Sequence, residues 1–309
     1  MLTALLCFHR WNKGRPLKDV IRFCLVSALS YCLALIIFRI WCVPGDGSTY
    51  TYVNYTISPS LFFTNLRTYF SVVRTDFKSW WLMLIALIAA SFVYVAARDT
   101  VIKSRILSFL LAGVTLLFML LASFGVYSLF ATPLVTPRSM YGFGAFIAFT
   151  GVYAVGAKRI YPAKLACFLL SWTFFIFAFI YGNALAENQR YLEFRIEAAM
   201  RDMSETEACL VLEQNGEMPR VQYCGSIGLS PTISRNSGSY NLLTHLVPNI
   251  VSNGWSHGKV YVQWYFGLAG YITVDYADDF QDLDLPVLKD TFYHTIRGDN
   301  EHILIEFKH

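Results

Sequence analysis

Two groups of residues have types and spacings that could do chemistry. The first is a lone cation. The stretch "ATPLVTPRSMYG" (131–142) carries Arg138 as its one charge, between long apolar runs. Pro133 and Pro137 lack amide donors and have a fixed φ, so they would end one helix and hold Arg138 on a stiff tether before the next. A guanidinium held so can bind a phosphate or carboxylate through paired, charge-assisted hydrogen bonds. The second group is a pair of thiols. Cys209 and Cys224 flank "NGEM" (215–218) symmetrically. If that turn closes a hairpin, the two face each other and can bond where they fall at a non-hydrogen-bonded pair. The alternative is two buried thiols.

Other constellations are missing. The sequence has no CxxC and no His/Cys cluster at metal-ligand spacing, so no metal or other cofactor is expected. It has no Gly-rich phosphate loop after a strand and no nucleophile elbow. His245, His257, His294, His302 and His309 are scattered and read as surface or satisfied side chains.

Composition says what must position these residues. The 309-residue chain is 55% hydrophobic and 15% charged. Soluble domains carry about a quarter charged residues, so the composition points to an integral membrane protein. Charge is split along the chain: residues 1–203 hold 19 Lys and Arg against 8 Asp and Glu, residues 204–309 hold 6 against 13. A basic membrane part precedes an acidic, more polar part. No basic run interleaved with aromatics suggests nucleic acid. The start "MLTALLCFHRWNKGRPLKD" meets its charges after a short apolar stretch, the reverse of a cleavable signal.

A helix needs about 20 apolar residues to cross about 30 Å of hydrocarbon. Five such runs occur, at 20–43, 79–97, 105–130, 139–157 and 163–182. Arg10, Lys13, Arg15 and Lys18 precede the first run. Arg98, Lys103 and Arg105 lie between the second and third, and Lys158, Arg159 and Lys164 between the fourth and fifth. A zigzag chain puts all three groups on one side, which the positive-inside rule makes cytoplasmic. Segment 1–19 is then cytoplasmic, 20–182 is the membrane domain, 183–203 is a linking helix, and 204–309 is an extracytoplasmic α/β domain.

Within the first outer segment, Phe62, Phe63, Leu66, Tyr69, Phe70 and Val73 recur at helical spacing. They predict an amphipathic helix near 61–79 lying in the outer interface. Trp80 and Trp81 mark the re-entry into lipid as interfacial indoles. In the last domain, Ala184, Tyr191, Leu192, Ile196 and Met200 give a helical face to the linker, and "HILIEF" predicts a closing strand.

Three stretches carry a family resemblance: "YGNALAENQRYLEFRIEAAMRDMSE", "PRSMYGFGAFIAF" and "LPVLKDTFYHTIRGDN…HILIEFKH". They resemble the late part of the Gtr-type membrane glucosyltransferases that modify bacterial O-antigen. The resemblance implies an all-α transmembrane bundle of the GT-C type in the cytoplasmic membrane. It also implies an activity: glucose passes from a polyprenyl-phosphate carrier to a lipid-linked glycan outside the membrane. On that reading Arg138 pairs with the donor phosphate, helped by Arg74 and Lys78, while Asn183, Glu187 and Asn188 hydrogen-bond sugar hydroxyls. The plainer alternative is that Arg138 and Lys78 anchor to lipid head groups and that Asn183 to Asn188 begin a solvated helix. The chain departs from the family in one respect. Members carry additional N-terminal spans and an acid-rich early outer loop, whereas here the first outer segment offers Asp46 and Asp76. Asp46, in "PGDGS", reads most simply as a turn residue and is otherwise the candidate base. The chain therefore reads either as such an enzyme, whole or as its C-terminal part, or as a shortened, inactive copy. The other reading is a non-enzymatic membrane protein whose outer domain binds a glycan or a protein. A transporter fits less well, since the spans lack internal acids and show no repeat of broken helices.

Overall fold

A computed structural model describes every residue except 42–53, 158–159, 215–219, 237, 253–255, 266–279 and 309. The candidate base Asp46 and the whole "NGEM" turn lie outside the described residues. The chain forms two compact units, Met1–Phe177 and Ala178–His309.

The first unit begins with α1 (Leu2–Asn12) and α2 (Leu17–Trp41), then β1 (Asn54–Ile57), α3 (Phe62–Asp76) and α4 (Ser79–Arg98). It continues through α5 (Arg105–Leu121), β2 (Phe130–Thr132) and α6 (Tyr141–Gly156) into the first part of α7 (Tyr161–Ser204). Among the described residues, three helices are long and apolar enough to cross a membrane: Ser79–Arg98, Arg105–Leu129 and Tyr161–Ser204. They match the second, third and fifth expected spans, and α2 covers the first. The fourth is shorter than expected. At 16 residues, α6 is about 24 Å long at 1.5 Å per residue, less than the roughly 30 Å of hydrocarbon.

At one end of this unit, the segment expected as a cytoplasmic lead-in is a packed helix. Leu5, Phe8 and Asn12 of α1 are buried. Asn12 has no exposed surface. Its Nδ2 donates to the Ala96 carbonyl at 3.0 Å, and its Oδ1 accepts from Ser108 Oγ at 2.6 Å. One amide thus joins α1 to α4 and α5. The backbone adds Val101 N–H to Asn12 O at 3.1 Å. Phe8, Phe92 and Tyr153 close an aromatic cluster there.

At the other end, the helix after Leu121 tightens into a 3₁₀ segment, Ala122–Leu129, bent at Gly125 with φ 61°. Positive φ costs glycine little, which is why the bend falls there. The chain then forms β2, which pairs antiparallel with β1, Asn54 opposite Thr132. Packed on this end, α3 buries Asn65, Leu66, Tyr69, Val73 and Asp76. Asn65 Nδ2 donates to the Ser128 and Phe130 carbonyls, and Tyr69 stacks on Phe124 with centroids 4.5 Å apart. The apolar face is narrower than expected, since Phe63 is 78% exposed. Trp81 is also not an interfacial indole. It is 1% exposed, in a cluster with Phe77, Phe174 and Phe177.

The second unit holds the rest of α7, then α8 (Glu207–Gln214), β3 (Arg220–Gly225), α9 (Pro231–Asn236), α10 (Asn241–Leu246) and α11 (Ser256–Tyr265). It ends with β4 (Val287–Asp290), β5 (His294–Gly298) and β6 (His302–Phe307). The sheet order is β3-β6-β5-β4, with β3 parallel to β6 and the other pairs antiparallel. Leu192, Ile196, Ala199 and Met203 of α7 pack on Val221, Tyr223, Ile296, Ile303 and Ile305. Phe280 and Leu285 cover Leu304 on the other side. Strand residues alternate between faces, so β6 is buried on both.

The expected hairpin and its disulfide do not form. Residues 207–214 are helical, and β3 takes β6 as its partner. Cys209 belongs to the core cluster with Val221 and Tyr223, whereas Cys224 packs with Phe280, Leu285 and Leu304 on the opposite face. The sheet separates the two sulfurs, and both are thiols rather than a bridge.

Candidate functional site

In the second unit, a cavity of about 590 Å³ lies between α7 and the α9–α10 segment. Such a volume is typical of small-molecule sites. Its α7 wall carries Asn183, Glu187 and Arg190, three to four residues apart and therefore on one helix face. Thr232, Asn236 and Tyr240 line the opposite wall, while Ile180, Ala184, Ile233 and Leu243 supply apolar surface.

Asn188 lies beside this group on α7 but outside the cavity lining, and it is buried. Its Nδ2 donates to the Pro248 carbonyl at 3.3 Å, and its Oδ1 accepts from Ser230 N–H at 3.0 Å. Ser230 Oγ in turn accepts from Ile233 N–H at 3.4 Å, at the start of α9. Asn188 therefore positions the opposite wall, with both ends of its amide engaged. Asn236 Nδ2 donates to Thr232 O at 2.8 Å, which fixes the amide and leaves Oδ1 as an acceptor.

The lining offers an amide, a carboxylate, a guanidinium and a hydroxyl beside an aromatic ring. These groups suit a ligand rich in hydroxyls, which needs donors and acceptors in alternation. Among the described residues, Glu187 is the one carboxylate in the lining. Glycosidic chemistry by paired acids would need a second carboxylate at a set separation.

Of the sequence-predicted residues, Asn183 and Glu187 meet in this cavity and Asn188 stands behind its wall. Arg190, Thr232, Asn236 and Tyr240 were missed. Arg190 follows Asn183 and Glu187 at the next helical step, a signal that could have found it. Arg74 and Lys78 belong to the first unit. Arg74 is exposed on the last turn of α3 and borders an apolar groove of about 470 Å³ lined by Phe70, Leu82, Ala86, Leu117 and Phe143. Lys78 is the N-cap residue of α4. Arg138 sits in a 3₁₀ turn, Pro137–Ser139, closed by Ser139 N–H to Thr136 O at 2.9 Å. Its side chain lies outside the described residues.

A second polar cluster joins α7 to the sheet. His294 is 1% exposed, and its Nε2 lies 3.1 Å from Asp202 Oδ2. Lys289 Nζ donates to Asp202 Oδ1 and to Glu205 Oε2, each at 3.0 Å. Burial pushes the His294 pKa below its ordinary 6.5, and Arg195 and Lys289 push the same way against the pull of Asp202. Burial raises the Asp202 carboxyl, but Lys289 and His294 outweigh it and hold the group low. A histidine depressed on folding binds its proton more tightly when unfolded, so its stabilising contribution is complete above the unfolded pKa and is lost as pH falls below 6.5. The second unit is therefore expected to melt at lower temperature on going from about pH 7.5 to about pH 5.5. In His294→Gln that drop should shrink. Melts of both proteins across the range check this, and equal pH dependence would rule His294 out as its source.

Compared with protein-family models, curated proteins and solved structures, the chain finds no match. Fold and site therefore define the class by themselves. It is a mostly helical protein with, among the described residues, three helices of membrane-spanning length and a small C-terminal mixed four-stranded sheet.

Proposed function

We propose that the chain is a multi-pass membrane protein whose C-terminal unit binds a glycan in the cavity lined by Asn183, Glu187 and Arg190. The observation that carries this reading is the polar lining on both walls of a cavity of ligand size. The orientation proposed has α1 cytoplasmic and the C-terminal unit extracytoplasmic, in a bacterial cytoplasmic membrane. It is supported by the basic N-terminal segment sharing one end of the first unit with the α4–α5 connection. It requires five crossings, with α2 and α6 among them.

The test uses the full chain in detergent micelles and an O-polysaccharide fragment as probe. Asn183→Ala, Glu187→Ala and Arg190→Ala are each expected to weaken binding about tenfold, the loss of one or two hydrogen bonds to a neutral or charged group. Lack of binding to the wild-type chain, or equal binding by all three variants, would overturn the reading.

A second reading adds catalysis: glucose transfer from polyprenyl-phosphate glucose to a lipid-linked glycan. It is favoured by Arg74 at the edge of the apolar groove and by Asp76, a buried carboxylate two residues further along α3. The groove would take the carrier's hydrocarbon. Arg74, Lys78 and Arg138 would meet its phosphate, and no cofactor is called for. Membranes supplied with labelled polyprenyl-phosphate glucose decide between the two. Transfer that falls in Arg138→Ala supports the enzyme, while binding without transfer leaves the glycan-binding protein.

A further inference from the structure

We propose that the cavity between α1 and α2 is a binding site for the phosphate headgroup of an anionic phospholipid. The inference rests on the membrane reading above but not on the glycan cavity. The space measures about 630 Å³ and is lined by His9, Arg10, Lys13, Arg15, Asp19 and Arg22. Four permanent cations face it with one carboxylate. Among the described residues, Arg10, Arg15 and Arg22 make no salt bridge, and Lys13 alone feels a second carboxylate, that of Asp99. Arg10 lies over the Phe23 ring at 4.2 Å, and Lys13 Nζ donates to the Asp99 carbonyl at 3.4 Å. Basic residues that merely follow the positive-inside rule can spread apart in solvent. These converge on one concavity, where mutual repulsion is relieved by an anion with several acceptor oxygens.

The frame around them is fixed. Asn12 anchors α1 in the bundle, as described above. The turn to α2 is held by Gly14 N–H to Trp11 O and Arg15 N–H to Arg10 O, at 2.9 and 3.1 Å. Further along, Cys7 and Cys24 approach to 3.0 Å between sulfurs.

The remaining lining selects the source of the phosphate. Phe23 and Val26 form the apolar side of the cavity. Leu29 and Leu33 continue that side along α2 at helical spacing, 70% and 56% exposed. A headgroup among the cations would lay its acyl chains along this row. Basic pockets beside membrane helices bind anionic headgroups in this way. A free phosphate would leave the row unused.

The experiment is native mass spectrometry of the delipidated full chain, titrated separately with phosphatidylglycerol, phosphatidylcholine and glycerol phosphate. One phosphatidylglycerol per chain is expected to be retained, with phosphatidylcholine and glycerol phosphate at least tenfold weaker. Arg15→Gln with Arg22→Gln should weaken phosphatidylglycerol at least tenfold, since each charge-assisted contact contributes about that factor. Lys18→Gln, on the same segment but outside the lining, should leave retention unchanged. Burial and Lys13 together hold the His9 pKa below its ordinary value, so its imidazole resonance should titrate at higher pH when the lipid is bound. Three results would each overturn the site: equal retention by the double variant, equal weakening by Lys18→Gln, or glycerol phosphate binding as tightly as the lipid.

Discussion

Arg195→Ala is expected to lower the stability of the C-terminal unit by about 3–5 kcal/mol, through the loss of three charge-assisted hydrogen bonds, one of them to the Lys308 carbonyl, and the space left by the side chain. Arg195 is 1% exposed, toward the C-terminal end of α7. One terminal nitrogen donates to the Tyr293 carbonyl at 2.7 Å and to the Lys308 carbonyl at 2.6 Å. The other donates to Tyr191 Oη at 2.6 Å. Tyr293 and Lys308 form the rung just beyond the His294–Phe307 pair of β5 and β6, so the guanidinium clamps the open end of two strands. Its charge meets carbonyl dipoles and the faces of Tyr191 and Tyr293, at 5.5 and 4.8 Å. Arg195→Lys should recover part of the loss, since an ammonium donates but lacks the planar fork. Amide exchange in β5 and β6 reads the effect directly. An Arg195→Ala protein within about 0.5 kcal/mol of wild type would mean that the clamp contributes nothing beyond an ordinary surface contact.

Gly142→Ala should cost about 3 kcal/mol, the upper end for overpacking, in the first unit. A Cβ built on Gly142 would stand 1.9 Å from the Ser123 carbonyl oxygen and 2.8 Å from its carbon. Both are backbone atoms, so relief needs α6 to move away from the 3₁₀ segment rather than a side chain to rotate. Gly144 is the internal control, because a Cβ there meets nothing within 4 Å. Gly144→Ala should be neutral or stabilising, alanine being the better helix former by up to about 1 kcal/mol. Thermal unfolding in detergent compares the two. Equal behaviour would refute the close approach.

The long helices were legible because burial in lipid or in core imposes runs of apolar residues that composition reveals at once. The packed face of α7 was legible for a related reason: Leu192 and Ile196 recur with the helical period. What the sequence hid depends on distant partners. Helix α1 carries charges that read as a cytoplasmic lead-in, and its role turns on Asn12 finding Ala96 and Ser108. The symmetry of Cys209 and Cys224 about one turn suggested a local hairpin. The pairing that forms instead joins segments far apart in sequence, which no local pattern encodes. The cavity shows both cases. Asn183 and Glu187 follow from helical spacing, but Thr232, Asn236 and Tyr240 come from a segment that Asn188 fastens in place. Gly125 looked like one more residue of an apolar run, and its positive φ turns the end of that run into a bend.

The position of β6 in the sheet sets an order of events during synthesis. β3 leaves the ribosome well before β6, yet β6 is its neighbour and also the neighbour of β5. Through the synthesis of residues 226–301, β3 has an unpaired edge, and Val221, Tyr223 and Cys224 lack the strand that buries them. Long-range parallel pairing is slow, and exposed edges invite association. The C-terminal unit therefore assembles after translation of its last strand rather than piece by piece. In that interval β3 is open to pairing with another chain.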